Sequence, residues 1–272
     1  MYATNFFEQR ILNTMRGITA PGISNLFAGL FFNSPEDNGT SGVEIIYPQY
    51  SRQPVEFSLP ADENGGRGVR NTNDILFPLT NENVGTAHYI GIFDAAVGGN
   101  MLIYGQLEVP LSIDAGNRPN IRPGDMVFWI GGAMKGSMSV HFMDRVFNNL
   151  RGAAIEGFTP RYALYSGHPE QGGTELAGLN YGRPAISFSA PVKQEGGCSR
   201  MVNTDSVAFA PPGETWGMWT HDAIVGPAFG SDVPENGGQI AALFVATNEA
   251  AQNVNVNYSI MIDEGSLIVD FS

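Results

Sequence analysis

Phe7-Glu-Gln-Arg10-Ile-Leu-Asn13-Thr-Met-Arg16-Gly17 returns later in the chain as Phe142-Met-Asp-Arg145-Val-Phe-Asn148-Asn-Leu-Arg151-Gly152. Phe, Arg, Asn, Arg and Gly are identical at one fixed offset, and Ile11/Val146, Leu12/Phe147 and Met15/Leu150 keep apolar character. Internal similarity of this kind decides an architecture before any local structure is read. It predicts two copies of one fold in tandem.

The correspondence runs on through both halves. Phe27-Ala-Gly-Leu30 matches Tyr162-Ala-Leu164, and Pro35-Glu36 matches Pro169-Glu170. Tyr50-Ser-Arg52, Phe57-Ser58 and Pro60 match Tyr181-Gly-Arg183, Phe188-Ser189 and Pro191. Asn71-Thr72, Phe77, Gly85 and Gly124 return as Asn203-Thr204, Phe209, Gly217 and Gly265. The drifting offset is what insertions in surface loops produce while strands hold their register. Residues 1–131 and 140–272 are therefore expected to be the two modules. Residues 132–139, Gly/Ser-rich and nearly uncharged, form a join too short to let them move far apart.

Each copy opens on a helical pattern. Phe7, Ile11 and Met15 fall at i, i+4 and i+8, with Leu12 beside them and Glu8, Gln9, Arg10 and Asn13 opposite. Gly17 and Gly152 stand where a helix stop belongs. Short strands and turns then take over. Val254-Asn-Val256-Asn-Tyr258-Ser-Ile260-Met-Ile262 alternates apolar and polar residues, which predicts a half-buried strand. Met126–Ile130 and Leu267–Phe271 read as more fully buried closing strands. Turn clusters such as Asp37-Asn-Gly-Thr and Glu235-Asn-Gly-Gly punctuate the pattern at β-sandwich intervals. The expected class is mainly β, each module an N-terminal helix plus an antiparallel β-sandwich.

Composition narrows the function classes. Among 272 residues there are 14 Lys+Arg against 27 Asp+Glu, a net charge of −13, and the only lysines are Lys135 and Lys193. Nucleic-acid binding through phosphate contacts is thereby disfavoured. With 43% hydrophobic residues spread along the chain, disorder is excluded. Cys198, the single cysteine, can close no intrachain disulfide and has no zinc-ligand partner nearby in sequence. The first ten residues lack a basic region followed by an apolar stretch, so no secretory signal is expected. The longest apolar run, Leu26 to Phe32, is too short to span a bilayer, and no membrane partner is expected.

Reactive groups do not converge in the sequence. His88, His141, His168 and His221 stand in unrelated contexts, with His88 and His221 at nearly equivalent repeat positions. No HExxH, GxSxG or P-loop spacing occurs, and Glu36/Glu170 are the one carboxylate pair read as repeated. Asp62-Glu63-Asn64-Gly65-Gly66 has the oxygen richness of a calcium loop but not the EF-hand spacing. No enzyme activity, metal or cofactor is expected. Arg52/Arg183 and Arg10/Arg145 are repeated in a chain poor in basic residues, together with Tyr50/Tyr181. Each guanidinium is expected to tie strand to loop, or to meet a partner. Trp216-Gly-Met-Trp219 has no counterpart in the first half and reads as core packing, subunit contact or a sugar-stacking platform. Phe6, Phe7, Trp216 and Trp219 are the interface candidates.

Gly85-Thr-Ala-His-Tyr-Ile90-Gly91-Ile92-Phe93-Asp94-Ala95, followed by Gly98-Gly99-Asn100-Met101-Leu102 and Tyr104-Gly105-Gln-Leu107, resembles a module of tailed-bacteriophage virion proteins, often labelled tail-fibre-like. Tyr50-Ser-Arg52-Gln-Pro54 and the helical opening from Asn5 to Gly17 fit the same pattern. The second copy replaces the Gly-Ile-Phe-Asp-Ala block by Ala223-Ile-Val-Gly-Pro227. The resemblance implies a virion structural protein, made and assembled in the host cytoplasm, whose partners are the major capsid protein or other virion proteins. It also implies a homo-oligomer, with a trimer favoured.

Three roles are weighed: a capsid decoration (cement) protein on the outside of the head, a tail-fibre or receptor-binding tail component, and, remotely, a virion-associated enzyme. Long fibres carry heptads or short β-helical repeats, and neither occurs here. Two acidic halves suit an outer surface rather than the lining of a packaged genome. Capsid decoration is therefore the expected role, with the tail component second.

Overall fold

A Thr or Ser before each helical pattern sets where the two helices begin. Thr4 and Ser139 lie in extended backbone and accept from the N–H groups of Phe7 and Phe142, satisfying donors that the first turn leaves open. The computed structural model describes residues 1–131, 137–195, 197–226 and 242–271. Its first half runs β1 (Tyr2–Ala3), α1 (Asn5–Leu12), β2 (Leu26–Phe31), β3 (Gln53–Val55), β4 (Ala61–Glu63), β5 (Gly66–Arg70), β6 (Ile75–Leu76), β7 (Gly85–Phe93), β8 (Met101–Ile113), β9 (Asn120–Ile121) and β10 (Val127–Ile130). The second runs β11 (Ser137–Met138), α2 (Val140–Asn149), β12 (Arg161–Ser166), β13 (Thr174–Glu175), β14 (Val192–Lys193), β15 (Ser199–Val202), β16 (Val207–Ala208), β17 (Gly217–Val225), β18 (Ala242–Val254), β19 (Met261–Ile262) and β20 (Ile268–Phe271).

The protein is mainly β, with several antiparallel sheets. A five-stranded sheet in the order β1-β8-β7-β2-β3 is matched by one in the order β11-β18-β17-β12-β13. Three-stranded sheets β10-β5-β4 and β14-β15-β20, and the pairs β6-β9 and β16-β19, complete the set. The long hairpins agree in detail. Gly85 pairs with Ile113 and Gly217 with Val254, and the register slips at Ala87/Tyr89 and Ile92/Phe93 in one, Trp219/His221 and Ile224/Val225 in the other. A bulge inserts a residue and increases local twist, so matched bulges bend the two sheets alike.

The helices do not cap their own sheets from outside. α1 packs on β8 of its own half and on β15 of the other, while α2 packs on β18 and on β5. Each helix is thus interposed between the five-stranded sheet of one half and the three-stranded sheet of the other. Phe7, Ile11 and Leu12 of α1 and Phe142, Val146 and Phe147 of α2 are wholly buried, in one core continuous across both halves. Phe128 of β10 meets Phe147 of α2 edge to face at 5.5 Å. The two expected modules therefore share a core instead of lying side by side. Most of the expected join, 132–136, lies outside the described residues.

After α1 a 3₁₀ turn over Asn13–Arg16 ends at Gly17 with φ +82°, a left-handed stop that glycine adopts without strain. The chain then crosses to the other half, where Ala20 and Ile155 exchange both backbone hydrogen bonds at 2.9 Å. Gly22 and Gly157 flank this crossing at its two ends. A Cβ at Gly22 would lie 1.8 Å from the Gly152 oxygen, and one at Gly157 2.2 Å from the Gly17 carbonyl carbon. Only glycine permits backbones that close.

Two strand readings need correction. The alternating stretch from Val254 to Ile262 is not one strand: β18 ends at Val254, Asn257 takes φ +61°, Tyr258 N–H bonds Asn255 O, and β19 starts at Met261. Val256 and Tyr258 are exposed. Alternation survives across a turn when the turn residues happen to be Asn, which supplies both polarity and a left-handed conformation. The closing strands, in turn, alternate rather than bury both faces: Phe128 and Val269 are internal, Trp129 and Ile268 exposed.

Candidate functional site

Two arginine clamps occupy equivalent places. The Arg52 guanidinium donates to both Glu44 oxygens, from Nε and Nη2, at 2.8 Å, and to the carbonyls of Ala95 (3.2 Å) and Gly98 (2.6 Å). It also lies 3.3 Å above the Phe93 ring. Tyr50 Oη donates to Glu44 at 3.0 Å and accepts the Leu30 N–H at 2.9 Å. In the second half Arg183 donates to both oxygens of Glu175, and Tyr181 Oη donates to Glu175 at 2.8 Å while accepting the Leu164 N–H at 3.2 Å. Burial first, and the adjacent carboxylate next, push the Tyr50 hydroxyl well above its ordinary range, so it stays protonated and keeps donating. In the first clamp every guanidinium nitrogen has an acceptor. The two clamps fasten β2 and β12 to the loops beside them.

The carboxylates that complete the clamps, Glu44 and Glu175, are the repeated acidic pair that sequence reading missed. The signal was present, since each stands six residues before its Tyr and eight before its Arg. Glu36 and Glu170, read as the pair, act differently: Glu36 takes φ +58° in a turn, and Glu170 accepts the Val140 N–H at the start of α2 at 2.8 Å.

Arg10 reaches the Pro21 carbonyl, whereas Arg145 lines a surface hollow with His141, Asp144 and Asn148. Another pair of arginines ties the halves together. Arg16 Nε donates to Phe188 O and Arg151 Nε to Phe57 O, both at 3.3 Å, and each braces its Nη1 on the Asn three residues earlier.

The two helix junctions differ in their charged groups. On the α2 side, Arg67 of β5 holds Asp144 through two hydrogen bonds of 2.8 and 3.1 Å, and Asp62 through a third. On the α1 side the residue equivalent to Arg67 is Ser199, and it faces Glu8. The Glu8 side chain is buried and neither oxygen makes a well-formed hydrogen bond. Burial raises its carboxyl to about 8, so it is mostly neutral at pH 7.

Three of the four interface candidates are unavailable to a partner. Phe7 is fully internal; Trp216 packs on Tyr181 at 5.1 Å and Phe209 at 6.1 Å and donates Nε1–H to Leu179 O; Trp219 donates to Asp222 at 2.7 Å. The aromatic cluster is core, because its rings fill a space closed by Leu176 and its neighbours, and only Phe6 is exposed. The histidines also move from their sequence reading. His221 matches Tyr89, not His88, because a bulge residue stands at His88 and at Thr220, and the His168 and His221 rings meet at 5.6 Å. Asp62 and Glu63 flank a tight turn and pair with Arg67 and Arg70, while Asp94 braces its own loop through Asn100. Among the described residues no group of three metal-ligating side chains converges.

No curated protein matches the chain. Residues 2–128 match the family described as Podophage GP4 fiber I protein gp80, and this similarity supports a structural role in a phage virion.

Proposed function

We propose that this chain is a tail-fibre component of a phage particle, built from two copies of one module that fold around a shared core. The observation that carries the reading is the match of residues 2–128 to a phage fibre family. That match shifts the balance away from capsid decoration, the role expected from composition. The equal strand orders of the two halves, their matched bulges and the paired Tyr-Arg-Glu clamps support the duplication. Residues 1–131 and 140–272 are the proposed copies, assembled as a homo-oligomer, with no catalytic activity. Strands fastened to their loops by such clamps, around one continuous core, suit a protein whose task is to hold shape.

Antibody labelling and cryo-electron imaging of the virion test this. Density on the tail apparatus, and loss of host adsorption in particles lacking the chain, are the expected results. Density restricted to the head would overturn the reading and restore decoration. Native mass measurement tests the oligomer, for which a trimer is expected.

A further inference from the structure

The second half has an apolar cleft whose one carboxylate has no counterpart in the first. Its floor is the inner face of β12, β17 and β18, carrying Tyr162, Asp222, Ile224 and Phe244, and its far wall is Ile262 and Leu267. The volume is about 350 Å³, at the small end of ligand-sized pockets. The place of Asp222 in the sheet is that of Ile90: Asp222 pairs with Leu164 and Ala246, Ile90 with Leu30 and Gly105. Ile90 is buried in the core, whereas Asp222 is half-buried and lines an opening. The Trp-Asp pair is coordinated too. Trp219, where the first half has Ala87, donates its indole N–H to Asp222 at 2.7 Å and fixes the carboxylate's direction.

A carboxylate replacing an apolar core residue costs stability unless something offsets it. Burial is the larger influence and holds the Asp222 carboxyl above its ordinary range, while hydrogen bonds from the Tyr162 hydroxyl and the Trp219 indole offset part of that rise. A carboxylate in the lining of a cleft otherwise walled largely by apolar side chains suits an aliphatic stem ending in a cation.

We propose that this cleft binds a lysine side chain of a basic partner protein, its methylenes against Ile224, Phe244 and Leu267 and its ammonium on Asp222. Charge complementarity argues for a foreign partner: this chain carries −13 and two lysines, of which Lys193 lies 3.8 Å from Asp37. The proposal deepens the structural role given above by naming what one of its contacts recognises. Buried, desolvated carboxylate–ammonium contacts at interfaces fix register and discriminate among partners.

The full-length protein titrated with Nα-acetyl-lysine N-methylamide, followed by the Trp219 indole N–H resonance, tests it. Saturable shifts are expected, at least tenfold weaker for the norleucine analogue and for Nε-acetylated lysine. Asp222→Asn, which keeps an acceptor for Trp219, is expected to weaken binding at least tenfold. Equal binding of the norleucine analogue, no saturable shift, or unchanged affinity in Asp222→Asn would each overturn it. If Asp222→Asn fails to fold, the lysine and norleucine comparison on the native chain decides alone. Imaging of the virion is independent: a chain absent from particles but binding lysine would overturn the structural role and leave the cleft standing.

Discussion

The two helix junctions have the same backbone geometry and opposite electrostatics. Where α2 meets β5, the Arg67–Asp144 pair sits with 17% and 34% of its side chains exposed, and the hydrogen bond to Asp144 holds the guanidinium above its ordinary range. Where α1 meets β15, a neutral, buried Glu8 stands against a serine. Both junctions bury apolar side chains, and one adds a partly exposed ion pair while the other encloses a buried acid whose carboxyl is raised. The difference teaches that a shared fold constrains volume and backbone approach strictly, and charge hardly at all, provided each buried polar group is paired or neutralised.

The largest test concerns the apolar part common to both junctions. Phe147 and Leu12 are equivalent and wholly buried, so Phe147→Ala is expected to cost about 3–5 kcal/mol and Leu12→Ala about 2–5 kcal/mol in urea unfolding. A silent Leu12→Ala would show that the α1 junction lies outside the cooperative unit. Loss of one transition for two separate ones would break the comparison altogether.

Acidity separates the junctions next. An unfolded glutamate titrates near 4.5, and Glu8 in the fold at about 8. Between those values the native state holds a proton that the unfolded chain has released, so stability is full below about pH 4.5 and falls as pH rises towards 8. The Glu8 contribution to this loss is of order a few kcal/mol. Glu8→Gln should remove most of that slope in chemical denaturation at pH 5, 7 and 9, and be more stable than the native chain at pH 9. An unchanged slope in Glu8→Gln would mean that Glu8 is ionised or solvated in the fold.

The ion pair comes third. Asp144→Ala leaves Arg67 with Asp62, its more exposed partner, and should cost about 1–3 kcal/mol. High salt should change the native stability little, because the pair is shielded. The smallest contrast is between the caps. Thr4→Ala and Ser139→Ala should each cost about 1 kcal/mol by thermal unfolding. The Thr4 hydroxyl also donates to Met101 O at 2.6 Å, so its removal breaks the tie to β8 along with the cap.

The β class was legible because periodicity is written in residue types. The two helices with their glycine stops and the β class follow from periodicity, and Tyr50/Tyr181 with Arg52/Arg183 stand out in a chain short of cations. The Glu44 and Glu175 partners were equally visible in spacing, but Pro35-Glu36 and Pro169-Glu170 drew the eye to adjacent turns. The burial of Trp216 and Trp219 was not legible, since an aromatic cluster has the same sequence whether it faces a core or a partner. Nor was the meeting of His168 with His221, which depends on a bulge that shifts the strand register by one residue.

By itself the sequence determined the β class and the apolar stripe of each helix, because side-chain period and turn chemistry are local properties of the chain. Only the tertiary structure decided that each helix is wedged between its own half and the other, with Ala20 and Ile155 bridging at a crossing where Gly22 and Gly157 leave no room for a Cβ. Neither helix can bury all its apolar faces against a single sheet. The surplus hydrophobic surface, which no local pattern assigns to a partner, chose the other half.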